Sequence, residues 1–186
     1  IFITPTNKLE NGVLLIQEGR VVQVGTSVKL PKNTVIIDLK GKFIYPSFID
    51  IYSDFGIPKT KRKSGGSRSV EYGPSREGFY WNDHIRPEQK AIDQFKYDKK
   101  TAKSLIEAGF GVVNTHIQDG IVRGTGALIA LDSKGSDSQR ILSDQSMQYS
   151  SFSKSVLSQQ SYPSSIMGAM ALLRQLNHDA EWYRNG

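Results

Sequence analysis

A helical pattern that runs directly into a buried strand most restricts the folds open to this chain. From Asp98 onward, apolar residues recur at helical spacing through Ala102 and Leu105. Gly109 ends this helix, and residues 112–117 follow as an apolar strand. Because a helix followed at once by a buried strand is typical of a βαβ unit, the sequence predicts an α/β fold with a parallel sheet.

The residues before this unit have a different pattern. Short apolar runs at residues 12–16, 20–25 and 34–39 are separated by glycine, proline and the turn pair Glu18-Gly19. Short strands at regular spacing are typical of a small β-sandwich or meander. We therefore predict a β-sandwich subdomain over residues 1–45, followed by a strand whose polar residues gather at its C-terminal end, at residues 50–54.

Two further segments flank the predicted βαβ unit. Residues 57–90 are polar and irregular, which predicts a mobile loop. Near the C-terminus, Ser164 or Ser165 caps a predicted helix over residues 166–183. Its apolar stripe includes Ile166, Met170 and Leu173, and Met167, Ala169 and Leu172 widen it.

Composition excludes several classes of site. The chain has no cysteine, which excludes disulfide scaffolds, thiolate metal ligands and a cysteine nucleophile. No apolar run approaches the roughly 20 residues of a membrane span, and no signal peptide is visible at the start. The net charge of +6 owes much to a basic run at residues 59–63. We interpret that run as a solvated loop, because no nucleic-acid motif accompanies it, although an anion or nucleic-acid site remains an alternative.

Four segments together resemble the amino-terminal part of the amidohydrolase superfamily, in its imidazolonepropionase-like branch. They are residues 11–25, 37–50, 107–113 and 164–175. The resemblance implies a small β-sandwich over residues 1–45 that leads into the first part of a TIM-like (β/α)₈ barrel over residues 46–186. It also implies a hydrolase of amide or cyclic amide C–N bonds, other than peptide bonds, that depends on a zinc-type divalent metal.

The family's first metal motif is altered here. The usual pattern is Pro-Gly-hydrophobic-Ile-Asp-x-His-x-His, and in this chain Pro46 and Asp50 match while Tyr52 and Asp54 stand at the two histidine positions. In one interpretation Asp54 and another residue still hold a metal. In the other, which we favour because borderline metals prefer nitrogen ligands to a phenol, Tyr52 and Asp54 only form hydrogen bonds.

Among the three histidines, His116 is the best candidate for catalysis or substrate binding. Strand alternation places it on one face with Asn114, near the end of the predicted strand and just before Asp119. His84 lies in a loop without an assigned role, and His178 falls on the last helix as a surface or packing residue. No Gly-x-Ser-x-Gly elbow accompanies the many serines.

This sequence of 186 residues is too short for a complete barrel, which takes about 250 residues. We therefore predict that the remainder of a longer polypeptide, or a partner chain, completes the barrel. The resulting hypothesis is an amidohydrolase-like protein that is catalytically weak or inactive at this domain. The alternative is a binding or assembly module of a larger envelope protein or complex. Resemblance to large exported bacterial members of the family is consistent with the periplasm or cell envelope, although no segment of this sequence marks either location.

Overall fold

The computed structural model describes residues 1–61, 82–132, 134–158 and 160–186. These residues separate into two units, Ile1–Ser47 and Phe48–Gly186. Throughout the described residues, every helix is too short or too polar to cross a membrane.

The first unit is organised around one antiparallel hairpin, formed by β1 (Val13–Gln17) and β2 (Arg20–Gly25). Glu18 and Gly19 form the turn, with φ angles of 51° and 74°. Two consecutive residues with positive φ are typical of the tight turns whose twist matches that of the flanking strands. The predicted turn is confirmed.

The third predicted strand of this unit, residues 34–39, does not form. These residues pair with no described strand, and Val35, Ile36 and Ile37 are 85%, 73% and 76% exposed. A run of β-branched residues becomes a strand only where a neighbouring strand accepts its hydrogen bonds. Within the described residues the unit has one hairpin, so the β-sandwich stays a prediction.

The second unit contains the sheet that carries the candidate site. Its elements in chain order are β3 (Phe48–Ser53), a 3₁₀ turn (Ala91–Gln94), α1 (Lys99–Glu107), β4 (Phe110–Thr115), β5 (Val122–Thr125), β6 (Ala127–Ala130), α2 (Asp137–Arg140), β7 (Ile141–Ser143), β8 (Gln148–Ser150) and α3 (Ile166–Asn185). Strands β3, β4, β6 and β7 form one sheet in that order, and β5 pairs with β8 in another.

The predicted βαβ unit is confirmed, because β3 and β4 are parallel neighbours with α1 between them in the chain. Asp98 caps α1 by accepting a hydrogen bond from the Lys100 backbone N–H, and Gly109 follows the helix with a φ of 96°. The next neighbour, β6, is antiparallel to β4. The sheet is therefore mixed, whereas all neighbouring strands of a (β/α)₈ barrel are parallel, and the partial barrel stays a prediction.

The last helix begins where the sequence predicts, with the Ser165 hydroxyl accepting a hydrogen bond from the Gly168 backbone N–H at 3.1 Å. Only part of the predicted apolar stripe is buried. Ala169 and Leu172 are buried beside Ile121 and Leu173 packs against them, whereas Ile166 and Met170 are exposed. The stripe predicted from helical spacing is wide, and packing against the β5 region buries one side of it.

Residues 62–81 of the predicted loop over 57–90 lie outside the described residues, as do Arg62 and Lys63 of the basic run. Residues 82–90 are irregular, as predicted, but they pack against the unit. Ile85 and Lys90 form isolated parallel bridges with Val122 and Thr125.

Candidate functional site

Two of the predicted site residues meet at the C-terminal ends of the parallel strands β3 and β4. Tyr52 lies in β3, and His116 follows β4 directly. The His116 backbone N–H donates to the Ser53 carbonyl at 3.0 Å, which ties the two strand ends together. Parallel pairing thus places residues 64 positions apart in the chain at one edge of the sheet.

The His116 imidazole is fully buried between two tyrosines. It stacks on Tyr149, with ring centroids 3.7 Å apart and an interplanar angle of 5°, and Tyr52 meets its edge at 4.5 Å. The Tyr149 hydroxyl donates to the Ile51 carbonyl at 2.6 Å. Burial, reinforced by the negative charge of Asp50, raises the pKa of Tyr149.

The guanidinium of Arg123 joins these groups from β5. Its Nη1 donates to Tyr52 Oη at 2.7 Å and lies 3.4 Å from His116 Nε2. Its Nη2 donates to Ser151 Oγ at 3.0 Å, and its Nε donates to the Gly120 carbonyl at 3.1 Å. Arg123 is only 6% exposed, whereas Tyr52 is 53% exposed, so the cluster joins a buried cation to a residue that reaches solvent.

This arrangement fixes the protonation of His116. Burial first, and then the Arg123 charge, lower the pKa of His116 to about 4, against the opposing effects of the Ser53 carbonyl and the Asp54 and Asp50 carboxylates. The ring is therefore neutral at pH 7. Since a guanidinium can only donate, Nε2 accepts and the proton lies on Nδ1, which is buried and has no hydrogen-bond partner within the part of the chain that the structure describes.

The neutral His116 has limited chemistry. A base with a pKa near 4 is mostly unprotonated at neutral pH but accepts a proton weakly, so it is a poor general base there. The main chemical group of this site is instead the Arg123 guanidinium, which directs N–H donors at side chains from the ends of β3 and β4. No described carboxylate forms an ion pair with Arg123.

Asp54 lies just beyond the strand that carries Tyr52 and borders a different part of the surface. Strand β3 ends at Ser53, and the chain then turns, with the Ile57 N–H donating to the Asp54 carbonyl at 3.0 Å. Asp54 is exposed and borders a surface cleft with Lys59 and Lys96. Its charge acts on His116, but neither Tyr52 nor His116 lines that cleft.

A zinc-type metal, which the family resemblance implies, does not fit these residues. Nowhere in the described parts of the chain do three histidine, aspartate or glutamate side chains group as metal ligands. The Tyr52 hydroxyl already accepts a hydrogen bond from a cation, and His116 turns its only lone pair toward the same cation. The Nδ1 atom carries a proton and has no lone pair to offer.

A second cluster forms around the other buried histidine, His84. Its Nδ1 accepts from the Ser155 backbone N–H at 3.1 Å, and its Nε2 has no partner among the described residues. The Ser155 hydroxyl donates to Asp119, which also accepts from the Val156 N–H at 2.8 Å. Burial, with a smaller contribution from the Lys154 charge, lowers the pKa of His84.

Although this cluster contains serine, histidine and aspartate, it lacks the order of a catalytic triad. In a triad, histidine accepts from the serine hydroxyl and donates to the carboxylate. Here the hydroxyl bonds directly to the carboxylate, and the histidine accepts from a backbone N–H. The cluster therefore holds the chain near residue 155 against residue 119.

The remaining candidates are joined to neither cluster by a described side-chain hydrogen bond. Asn114 is buried, and its Oδ1 accepts from Ser146 Oγ at 2.6 Å, which ties β4 to a loop. Gln118 and His178 are exposed, the latter on α3 as predicted.

The sequence analysis missed Arg123, Tyr149 and Ser151. A signal was available for Arg123, because a single arginine between Val122 and Gly124 interrupts an apolar stretch. Tyr149 and Ser151 lie in a serine-rich segment whose residues have no distinguishing pattern.

Comparisons with known proteins agree with the resemblance. No protein-family model matches the chain. An imidazolonepropionase from Alkaliphilus metalliredigens (strain QYMF) is 28% identical over 127 residues, which cover 60% of this chain and 28% of the relative. The crystal structure of an amidohydrolase from Thermotoga maritima MSB8 superposes with a TM-score of 0.62 at 23% identity, covering 92% of this chain and 43% of that one.

This chain therefore spans less than half the length of either protein it matches. The sequence match and the structural match point to the same group of proteins, and the structural match extends over nearly the whole chain. The chain is similar in sequence to an imidazolonepropionase, and its fold is similar to that of part of an amidohydrolase.

Proposed function

We propose that this chain is the amino-terminal part of an amidohydrolase-like protein in which the first metal motif no longer binds a metal. The single observation that carries this proposal is the 2.7 Å hydrogen bond between Tyr52 Oη and the Arg123 guanidinium. The residue at the family's first histidine position is thus engaged with an internal cation. Metal-dependent hydrolysis of non-peptide C–N bonds is weak or absent at this motif.

The test is the metal content of the full-length protein, purified without chelators and measured by elemental mass spectrometry. Wild type and the double variant Tyr52→Phe/Asp54→Asn should contain the same amount of zinc and manganese, before and after incubation with either metal. A loss of about one equivalent in the double variant, together with a loss of amide hydrolysis, would overturn the proposal. Comparing the two proteins cancels any metal held elsewhere in the polypeptide.

Exposed apolar side chains on β3 support the alternative role in binding or assembly. In the described residues β3 pairs only with β4, and Phe48, Ile49 and Ile51 are exposed along it. An apolar strand with a free edge is a site at which a further strand adds. In this proposal the remainder of a longer polypeptide, or a partner chain, pairs there. Slow hydrogen exchange of the β3 amides in the full-length protein would support that pairing, and exchange at the rate of an open edge would exclude it.

A further inference from the structure

Arg123 is buried in an unusual setting. Arginine is rarely buried without a carboxylate partner, because the loss of hydration must be offset by ionic contacts. Arg140, the other buried arginine among the described residues, follows this rule, with an ion pair to Asp137 at 2.7 Å. Arg123 is equally buried, but its partners are hydroxyls, a carbonyl and an imidazole.

We propose that the Arg123 guanidinium is the permanent cation of this site and occupies the position that a divalent metal would need. The inference rests on the proposed function and explains what replaced the metal. A metal at the ends of β3 and β4 would need free lone pairs on the side chains that meet there, which include residue 52 and His116. Nη1 of Arg123 already lies within hydrogen-bond distance of side-chain atoms of both residues.

If Arg123 occupies the metal position, it blocks metal binding even when histidine is present at both motif positions. A histidine at position 52 is shorter than the tyrosine, and zinc binds imidazole nitrogen at about 2.0–2.1 Å, so a zinc ion on that histidine would lie near the present Tyr52 Oη position, close to the guanidinium. Two positive charges at that distance repel each other, and arginine cannot relieve the repulsion by losing its proton. Restoring both histidines therefore does not restore metal binding while Arg123 remains.

The test compares three variants of the full-length protein by zinc titration calorimetry and by elemental mass spectrometry after gel filtration. Tyr52→His/Asp54→His should bind no more zinc than wild type. Adding Arg123→Met to that pair should raise the zinc content by about one equivalent. Adding Arg140→Met instead is the matched control for loss of a buried arginine, and it should leave the zinc content unchanged.

Two results would overturn the inference. One is zinc uptake by Tyr52→His/Asp54→His with Arg123 in place. The other is a folded triple variant, verified by circular dichroism and thermal unfolding, that binds no additional zinc. Should Arg123→Met prevent folding, Arg123→Gln removes the charge but keeps a donor for Ser151. If that variant also unfolds, Arg123→Lys is added to Tyr52→His/Asp54→His instead. Lysine keeps a positive charge at this position, so the variant should bind no more zinc than wild type, and zinc uptake by it would contradict the inference.

The same measurements separate this inference from the proposed function. Zinc in the wild-type protein that disappears in Tyr52→Phe/Asp54→Asn contradicts the proposed function. Zinc uptake by Tyr52→His/Asp54→His, when wild type is metal-free at this motif, contradicts only the role of Arg123.

Discussion

Two clusters, each built around a different buried histidine, lie at the two ends of residues 119–123. One contains a buried negative charge, on Asp119, and the other contains a buried positive charge, on Arg123. At one end the Asp119 carboxylate accepts from the Ser155 hydroxyl and the Val156 N–H. At the other end the Arg123 guanidinium donates to Tyr52 and Ser151. The His84 carbonyl accepts from the Ile121 and Val122 N–H groups, so the middle of the segment is anchored as well.

The difference between the clusters concerns access to solvent. Asp119, Ser155 and His84 are all buried, so that cluster joins two parts of the chain and has no exposed member. The Arg123 cluster ends in Tyr52, which is half exposed, at the edge where the strands β3 and β4 end. Similar residue types thus form a structural cross-link in one place and a candidate site in the other.

The largest expected effect comes from Gly124→Ala, because Gly124 fixes the backbone beside Arg123. Gly124 has a φ of 81°, and an added Cβ would lie 2.0 Å from the Gln89 carbonyl oxygen. Strain and overlap together should lower the free energy of unfolding by about 4 kcal/mol or abolish folding. Urea denaturation followed by circular dichroism measures the change.

Gly109→Ala is the control for that variant. Gly109 also has a positive φ, of 96°, but an added Cβ would meet only the Phe48 ring, at 3.3 Å. We expect a loss of about 1–2 kcal/mol, mainly from backbone conformation. Equal losses in the two variants would show that contact with Gln89 does not hold the Arg123 segment in place.

Acid should destabilise the protein through His116. The unfolded chain binds this proton with a pKa of 6.5, whereas the folded protein binds it near pH 4. Between these values the unfolded state binds more protons, so the free energy of unfolding falls as the pH falls, by roughly 3 kcal/mol from this one group. Below about pH 4 the folded state also binds the proton, and the loss attributable to His116 levels off.

Denaturation curves from pH 7 to pH 4, for wild type and His116→Phe, check this expectation. Phenylalanine keeps the stacking on Tyr149 but does not titrate, so the variant should lose less stability on acidification. The pKa of His84 is also lowered, and its contribution is present in both proteins and cancels in the difference. Parallel pH profiles for the two proteins would contradict the low pKa of His116.

The two buried charges should differ in their importance for stability. Asp119→Ala leaves the Ser155 hydroxyl and the Val156 N–H without their acceptor inside the protein, which should cost about 3 kcal/mol. Arg123→Met removes a buried cation that has no described carboxylate partner, and its partner Tyr52 can bond to water instead. We expect a loss of about 1 kcal/mol or less. Thermal and urea unfolding of both variants measure the contrast, and a larger loss for Arg123→Met would reverse it.

The smallest expected effects distinguish the two tyrosines that enclose His116. Tyr149→Phe removes a hydrogen bond from a buried residue to the Ile51 carbonyl, at a cost of about 1 kcal/mol. Tyr52→Phe removes the acceptor for Arg123 at a half-exposed position, at a cost of about 0.5 kcal/mol or less. If Tyr52→Phe proved the more destabilising in urea denaturation, Tyr52 would have a mainly structural role.

Local signals predicted much of the second unit. The helix start at Asp98, the Gly109 stop and the cap at Ser164 or Ser165 each act within a few residues, and each is found where the sequence indicates it. Local signals failed for residues 34–39, where strand formation depends on a partner that the described residues do not provide. On α3 they succeeded in part, because packing buries Ala169 and Leu172 of the predicted stripe and leaves Ile166 and Met170 exposed.

The sequence by itself determined the turns, the helix ends and the βαβ unit, and it indicated the resemblance to amidohydrolases. That resemblance led us to expect histidine where Tyr52 and Asp54 stand. Only the tertiary structure placed Arg123 against Tyr52, 71 residues away, and Tyr149 against the Ile51 carbonyl, 98 residues away. Caps and turns depend on neighbours in the chain, whereas a buried charge is stabilised by whichever distant groups the strand order brings to it. For this reason the sequence drew attention to Tyr52 but not to the cation beside it.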